Sequence, residues 1–500
     1  LVDRESRTIT LVRDRLGVLP LYYYLGPDLF VFGSETKAVL AGLPHRPSVD
    51  LASLDAYLAG SSVPAPHTLF AGIKKVRAGQ RLEVTADGEE RLHRYWSPPE
   101  EDEPGSWQEA SAVDAVDQAV TAAVRSALVA DVPVGAYLSG GVDSSLIVAK
   151  AAKLHSGPEL HTFAAGFGDE RQDELPWARL VSEHVGSTHH EVAVRATDFD
   201  QLWPKLTWHR DGPVSQPADI AVFRLAQVAR EHVTVILSGE GGDELFAGYP
   251  KYEVARLADV LGRAPAGVRA AATQLVQAHL PARFARYRIA LRVLSETTAA
   301  ERNQSWFSPF TSRERAALLP DVAQHASPHV PGPTARDPIR AMLLDDLVSW
   351  LPDNLLERGD RMSMAASLEL RPPLLDHRLV ELAFRLPSTM KVRHGTTKWI
   401  LKEVARRELP PQVVDRRKVG FQVPLDDWFR RGLRDSVRDR LTGGSSFVFN
   451  TLDRDAVRGL IERHESGRFD EQKRIFALMS LEVWHEQFFS SRVTGSDRSG

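Results

Sequence analysis

Short apolar runs separated by turns make up the first part of the chain, residues 1–97. Runs of this length, rich in aromatic and β-branched residues, are typical of strands. Asp87-Gly88 predicts a hairpin turn, and Asp50 before a helical pattern predicts an N-cap. The region is therefore predicted to be mostly β, with strands at Thr8–Val12, Leu21–Tyr24, Leu29–Gly33, Gln80–Val84 and Arg91–Trp96.

The pattern changes after a proline-rich, acidic stretch at residues 98–105. Helical and strand periods then alternate, for example a helix over Val113–Val129 and a strand over Leu160–Phe167. This alternation predicts an α/β domain with a doubly wound parallel sheet. The predicted plan is a β-rich region (1–97), a linker (98–105), an α/β domain with a helical C-terminal part (106–490) and a disordered polar tail (491–500).

One strand–turn–helix pattern lies at Val134–Val148, where an apolar run breaks at Gly140 and Gly141 and continues as a helix. The glycines allow a sharp turn, and the amides that follow lie at a helix N-terminus, which favours a phosphate. The stretch lacks the lysine of a Walker A loop, so it offers backbone amides, serine hydroxyls and Asp143. These groups suit pyrophosphate with Mg²⁺, although this motif alone also fits a glycine-rich turn that binds nothing.

A second strand–turn–helix pattern, Val233–Tyr249, repeats the first. An apolar strand ends at glycines, and the acidic residues Glu240, Asp243 and Glu244 stand at the start of a helix. Ligands of parallel sheets bind at the carboxyl ends of strands, so two such turns are predicted to face one triphosphate. The alternative is that the three acidic residues only cap the helix.

Composition narrows the class of partner. A formal net charge of −4 gives no broad basic field, which argues against nucleic acid as the main partner. No apolar run reaches membrane-spanning length, and the absence of cysteine excludes disulfides and thiolate metal sites in this chain. The sequence therefore predicts a cytoplasmic protein that acts on small molecules. A homodimer is one candidate assembly, which the sequence itself does not determine.

Several motifs resemble one family. Ser139–Ser145, Ser-Gly-Gly-Val-Asp-Ser-Ser, resembles the PP-loop of the N-type ATP pyrophosphatases, which split ATP into AMP and pyrophosphate. Ser238–Tyr249 and Trp350–Asp376 resemble segments of the glutamine-hydrolysing asparagine synthetases. Three further segments resemble the second half of that family's glutaminase domain: Arg13–Tyr23, Ser34–Ala38 and Arg94–Trp96. That domain is similar to the N-terminal-nucleophile hydrolases.

The resemblance also implies a departure at the start of the chain. In this family the glutaminase nucleophile is a cysteine at the first position of the mature protein, and an Asn-Gly-Glu segment lies well upstream of the position of Arg13. The chain begins at Leu1 and has no cysteine. We therefore expect an N-terminally truncated member whose partial glutaminase domain cannot hydrolyse glutamine.

The resemblance implies an ATP-dependent ligase that makes asparagine. Aspartate attacks the α-phosphorus of ATP to give β-aspartyl-AMP and pyrophosphate, and ammonia then displaces AMP. The intact protein is expected to take the ammonia from glutamine, whereas this chain is expected to take it from solution.

The resemblance also implies roles for individual residues. Glu240 is the expected base, Glu369 is a second candidate for that role, and Lys418 is expected to lie beside the phosphates. Asp143 and Asp243 are expected to hold Mg²⁺. ATP contacts are expected from Leu138, Ser139, Gly140, Gly141, Asp143, Ser144, Ser145, Ala165, Ser238 and Gly239.

Two positions depart from the family pattern. Gly212 stands in Asp211-Gly212-Pro213 where an acidic residue is usual, and Leu374 replaces a usual phenylalanine. The first makes the acceptor less certain than the ATP chemistry, and the second changes packing. A β-lactam synthetase-like or lasso-peptide cyclase-like enzyme is one alternative, but the β-lactam branch typically has tyrosine at the position of Glu240. A nucleotide-binding protein without catalysis is the other.

Overall fold

The computed structural model describes residues 1–101, 106–155, 157, 159–168, 174–253, 302–303, 305–320, 335–416, 423–467 and 469–490. Part of the predicted linker (102–105), the predicted tail (491–500) and Lys418 lie outside the described residues. None of the described helices is long and apolar enough to span a membrane.

The N-terminal region forms two small antiparallel sheets, in the orders β1-β2-β6-β7 and β4-β3-β5. The predicted β-rich character is confirmed, and the hairpin at Asp87-Gly88 joins the sixth and seventh strands. Asp50 accepts hydrogen bonds from the amides of Ala52 and Ser53 and so caps a helix as predicted. The elements are β1 Val2–Asp3, β2 Thr8–Val12, β3 Tyr22–Leu25, β4 Phe30–Gly33, α1 Thr36–Ala41, α2 Leu51–Gly60, β5 Ile73–Lys75, β6 Gln80–Thr85 and β7 Glu90–Arg94.

A five-stranded sheet, parallel throughout, forms the centre of the second part, in the order β10-β9-β8-β11-β12. The chain winds outward from β8 through β9 to β10 and then returns to β11 beside β8, as the predicted α/β fold requires. The elements are α3 Glu109–Ala127, β8 Val134–Tyr137, α4 Val142–Leu154, β9 His161–Gly166, α5 Leu175–Val185, β10 Thr188–Ala193, α6 Ala196–Arg210, α7 Ala218–Arg230, β11 Val235–Leu237, α8 Gly242–Phe246 and β12 Glu369–Arg371.

Helices cover both faces of this sheet. Successive side chains of a strand point to opposite faces, so apolar residues on both faces need helices to bury them. Val235 and Leu237 of β11 pack in a buried cluster with residues of α3 and α4. Ile236 between them packs in a second cluster with residues of α6 and α7. The sheet is therefore doubly wound, as the sequence predicted.

The C-terminal part is helical, also as predicted. Its last helix carries a buried carboxylate, Glu482, which accepts hydrogen bonds from the amides of Phe447 and Val448 at the start of a short helix. The helices are α9 Ser312–Leu318, α10 Pro338–Val348, α11 Glu357–Met364, α12 His377–Arg385, α13 Trp399–Ala405, α14 Pro411–Val414, α15 Leu425–Arg430, α16 Arg434–Thr442, α17 Phe447–Thr451, α18 Arg454–Glu465 and α19 Gln472–Phe489, with a π-helical turn at Leu351–Leu356 before α11.

A buried ion cluster joins the N-terminal sheets to α11. The Tyr22 hydroxyl donates to Glu357 over 2.6 Å, and Lys75 Nζ lies 3.0 Å from the same carboxylate. Asp353, in the π-helical turn, lies 3.5 Å from Lys75 and accepts a hydrogen bond from the Ala65 amide. Buried charges are tolerated when each is paired, so these contacts fix one part of the molecule against the other.

The Ser34–Ala38 motif makes a second polar contact between the two parts. The Thr36 amide donates to Asp211 over 2.8 Å, and Lys37 Nζ lies 3.1 Å from the other oxygen of that carboxylate. Arg361 of α11 donates to the Ser34 carbonyl and lies 3.6 Å from Asp211. This motif therefore contributes packing between the two regions.

We predict that Glu357→Gln destabilises the protein by about 3 kcal/mol at neutral pH, because it leaves Lys75 buried with less compensating charge. Burial alone would raise the pKa of Glu357, but Lys75 and nearby arginines lower it from 4.5 to about 2. Stability from the ionised form is therefore present above pH 4.5 and is lost as the pH falls toward 2. Calorimetric melting temperatures of both proteins should converge as the pH falls.

The control is Arg458→Gln, which removes an exposed partner 3.5 Å from Asp455. Exposed pairs contribute little, so its stability should change by less than about 1 kcal/mol. Equal melting temperatures for the wild type and Glu357→Gln at pH 7 would contradict the assigned role of the cluster.

Candidate active site

The two glycine-rich turns follow neighbouring strands. β8 and β11 pair in register, with Gly135 opposite Ile236 and Ala136 opposite Leu237. These are the two strands between which the winding of the sheet reverses, and ligands of doubly wound sheets bind in the crevice outside their carboxyl ends. The topology therefore creates one crevice lined by both turns.

The first turn is closed by its own serines. Ser139 Oγ lies 3.0 Å from Ser144 Oγ and accepts a hydrogen bond from the Gly141 amide. Gly140 has φ +67°, and a Cβ there would lie 2.5 Å from the Cβ of Trp177, so both conformation and space require glycine. The N-cap of α4 is Gly141, which has no side chain to accept from the helix amides, and such a helix start favours an anion.

The second turn touches the first. A Cβ on Gly239 would lie 2.9 Å from the Ser144 nitrogen, and a Cβ on Gly242 would lie 2.5 Å from Asp143 Oδ1. Contacts this short leave no space for any side chain at either position. The glycines of the second turn thus allow the start of α8 to approach the start of α4.

Lys398 lies between the aspartates of the two turns. Its Nζ is 2.6 Å from Asp243 Oδ1 and also contacts Asp143, and its side chain is 4% exposed. Burial alone would lower the pKa of Lys398, but the two carboxylates raise it above its ordinary value. The Lys398 side chain therefore stays positively charged at its position between the two turns.

The donor set around Lys398 fits Mg²⁺. Asp143 and Asp243 supply two carboxylates from different turns to one point, beside a turn suited to phosphate oxygens. Mg²⁺ is commonly held by one or two carboxylates together with substrate phosphates, so these residues have the chemistry that the ion needs. Asp143 and Asp243 would hold the ion, and Lys398 would add a fixed positive charge beside it.

Glu240, in the second turn, faces Arg358 of α11. An Arg358 nitrogen is 3.5 Å from Glu240 Oε1, and the same guanidinium donates to Gln216 over 3.2 Å. Burial raises the pKa of Glu240, and Arg358 partly opposes this shift. Glu240 Oε2 is buried and has no hydrogen-bond partner among the described residues. A carboxylate with a raised pKa and one open oxygen is suited to accepting a proton.

The third acidic residue of the second turn has a different environment. Glu244 is 1% exposed and accepts a hydrogen bond from the Tyr249 hydroxyl. Burial, followed by the charge of Asp243, raises its pKa. Glu240, Asp243 and Glu244 are thus separated into a crevice carboxylate, a partner of Lys398 and a core residue.

The remaining predicted ATP contacts lie around the same strand ends. Ala165 is the next-to-last residue of β9, and Leu138 donates its amide to the Phe163 carbonyl over 2.8 Å. Ser145 and Ser238 are buried, and the Ser238 amide donates to the Arg371 carbonyl. The structure therefore brings the predicted residues of both turns and β9 to one edge of the sheet.

Glu369 is not brought to this edge. It is the first residue of β12, opposite Val235 at the start of β11, so it lies toward the amino ends of these parallel strands. Its exposed carboxylate is 2.6 Å from Arg371 Nε. Both turns leave from the carboxyl ends, which puts Glu369 at the other end of the strand from Glu240.

Two residues at the site have no role that the sequence predicts. Lys398 and Arg358 act through contacts with residues more than a hundred positions away. Lys398 also has φ +55°, an unusual conformation for a side-chain-bearing residue, and its amide donates to the Phe246 carbonyl. Arg358 lies in the segment Trp350–Asp376 that resembles the family, but neither periodicity nor spacing indicates which residue either side chain would pair with.

The structure shows what surrounds Leu374 and Gly212, the two positions that depart from the family pattern. Leu374 is fully buried in the core, so its replacement of phenylalanine concerns packing. A Cβ on Gly212 would meet no described atom within 4 Å, and the adjacent Asp211 is already engaged by Thr36 and Lys37. The space beside Gly212 can therefore accommodate a side chain.

Comparison with known proteins identifies the family of the chain. The asparagine synthase family model matches residues 115–486, and the glutamine amidotransferase domain model matches residues 1–96. The chain is 30% identical over 493 residues to asparagine synthetase (glutamine-hydrolyzing) 1 of Bacillus subtilis, covering 97% of this chain and 76% of that protein. It is 29% identical over 509 residues to asparagine synthetase (glutamine-hydrolyzing) 3 of the same species, covering 97% and 78%. The resemblance inferred from the motifs is thereby confirmed, and the chain belongs to the asparagine synthase family.

Proposed function

We propose that the chain is an ATP-dependent ligase that converts the side-chain carboxylate of aspartate to an amide through an acyl-adenylate. The observation that carries this proposal is the meeting of two glycine-rich turns whose aspartates share the buried Lys398 ammonium. Family membership supports the class of reaction, an amide ligase that uses ATP.

In the first step a carboxylate oxygen of the substrate attacks the α-phosphorus of ATP, and the bond to the leaving pyrophosphate breaks. Negative charge then accumulates on pyrophosphate, where preorganised positive groups lower the barrier. The amides at the start of α4 and the Lys398 ammonium would supply this charge. Mg²⁺ held by Asp143 and Asp243 would neutralise phosphate oxygens.

In the second step the nitrogen of ammonia attacks the acyl carbon, AMP leaves with the electrons of the broken carbon–oxygen bond, and one proton must be removed from nitrogen. Glu240 would accept that proton, because burial raises its pKa and one of its oxygens is open. Arg358 would hold the carboxylate in position and keep it ionised before the transfer.

Aspartate is proposed as the acceptor because relatives along nearly the whole chain are named asparagine synthetases. Gly212 removes an acidic group from a region where the family commonly has one, and the space beside it is open. An acceptor with a different amine or a longer side chain would also suit this change, so acceptor selectivity is best measured over several dicarboxylic amino acids.

We predict that Glu240→Gln still catalyses acceptor-dependent exchange of pyrophosphate into ATP but forms amide about 100-fold or more slowly. The amide side chain keeps the shape of the carboxylate and cannot accept the proton. Exchange with labelled pyrophosphate measures the first step, and amide formation from ammonium measures both.

Glu369→Gln is the matched control, because it makes the same chemical change at the other end of the sheet. Both of its activities should stay near those of the wild type. If Glu240→Gln lost exchange and amide formation equally, Glu240 would instead belong to adenylation or folding.

We predict that the 500-residue chain makes amide from ammonium and not from glutamine. Glutamine hydrolysis in this family needs a thiol nucleophile, and the chain contains no cysteine. Activity with ammonium should rise with pH, since only neutral ammonia has a lone pair for attack. Glutamate release from glutamine by a preparation free of contaminating glutaminase would contradict this prediction.

A further inference from the structure

Three histidines from separate segments meet toward the amino-terminal ends of the parallel strands. His161 is the first residue of β9, His190 lies in β10, and His232 follows α7. His161 Nδ1 lies 3.0 Å from His190 Nε2, and one nitrogen from each ring falls within 4.8 Å of the others. The cluster therefore draws together residues that are distant in the sequence.

The fold holds these rings on one face of the sheet. His190 is opposite Phe163 in the β9–β10 register, and their rings stack with centroids 4.9 Å apart. The His232 ring stacks on His190 at 4.1 Å and lies 5.3 Å from His161. Phe163 is buried, whereas His232 is exposed, so the cluster has an apolar base and opens to solvent.

This cluster is separate from the proposed ATP site. The glycine-rich turns leave the carboxyl ends of β8 and β11, whereas His161 begins β9 at the opposite edge. Its donors also differ in kind, because imidazole nitrogen suits first-row transition metals and the carboxylates of Asp143 and Asp243 suit Mg²⁺. A metal bound by the histidines would therefore not compete with Mg²⁺ at the turns.

We propose that His161, His190 and His232 form a binding site for Zn²⁺, with water in the fourth position. Nitrogen ligands lie 2.0–2.1 Å from Zn²⁺, so two of them around a tetrahedral ion are about 3.3 Å apart. The 3.0 Å separation of the His161 and His190 nitrogens is close to this spacing. The His232 ring stacks on His190 and holds one nitrogen within 4.8 Å of the other two, so it would supply the third protein ligand.

Bound Zn²⁺ would link β9, β10 and the segment that enters β11. Since those strands carry Ala165 and lead to Ser238, the metal would stiffen the sheet that supports the crevice without touching substrate. A ligand that binds the folded state alone raises the melting temperature. The site is therefore structural, and its effect is measurable without the enzymatic reaction.

The test is calorimetric titration of the chelator-treated 500-residue chain with Zn²⁺ in excess Mg²⁺. We expect one Zn²⁺ per chain in the wild type, at least about tenfold weaker binding in His190→Gln and in His232→Gln, and a Zn²⁺-dependent rise in melting temperature that both variants lose. His45→Gln, which changes an exposed histidine outside the cluster, should bind like the wild type.

His232 is exposed, so His232→Gln should melt like the wild type in the absence of metal, which separates loss of a ligand from loss of folding. Co²⁺ in place of Zn²⁺ should give a visible absorption spectrum typical of nitrogen ligands in the wild type and lose it in the variants. Absence of Zn²⁺ binding in the wild type, or equal affinity in the wild type and both variants, would overturn the proposal and leave a metal-free stack of imidazoles.

Discussion

A buried ammonium held by two carboxylates joins the halves of the crevice. Lys398 would be costly to bury alone, and Asp143 and Asp243 would repel each other if no cation lay between them. Each group therefore needs the other two, and the arrangement fixes the starts of α4 and α8 relative to one another. The phosphate binding proposed for these turns would depend on that alignment.

The close approach of the two turns also requires glycine. Gly239 and Gly242 let one turn approach the backbone and carboxylate of the other at distances that no side chain permits. The polar cluster around Glu357 acts at a longer range, because it ties α11 to the N-terminal sheets while the next residue, Arg358, contacts Glu240. The N-terminal region is thus in contact with the element that carries the partner of the proposed base.

Local patterns predict much of this fold. The strand runs, the Asp50 cap and the alternation of helix and strand indicate the β-rich region and the doubly wound sheet, since each depends on residues close in sequence. The two turns are recognisable because glycines and carboxylates follow apolar strands. Their contact depends on β8 and β11 being neighbours, which is a property of the topology, whereas periodicity alone does not indicate which strands pair.

Long-range pairings are not predictable in this way. Lys398 is separated by 255 residues from Asp143, and Arg358 by 118 residues from Glu240. The histidine cluster has no motif spacing, because its members belong to three elements that the sheet brings together. Glu369 shows the reverse case: it lies in a segment resembling the family signature, yet strand direction puts it at the edge opposite the turns.

The most direct test of the shared-ammonium site is exchange of labelled pyrophosphate into ATP by the wild type, Asp143→Asn and Asp243→Asn, with aspartate and saturating Mg²⁺. We predict aspartate-dependent exchange in the wild type and a loss of about 100-fold or more in each variant, because each loses a charge that aligns both turns. Asp427→Asn, at an exposed position paired with Arg431, should exchange normally. Near-normal exchange by either Asp143→Asn or Asp243→Asn would contradict the role proposed for these two aspartates.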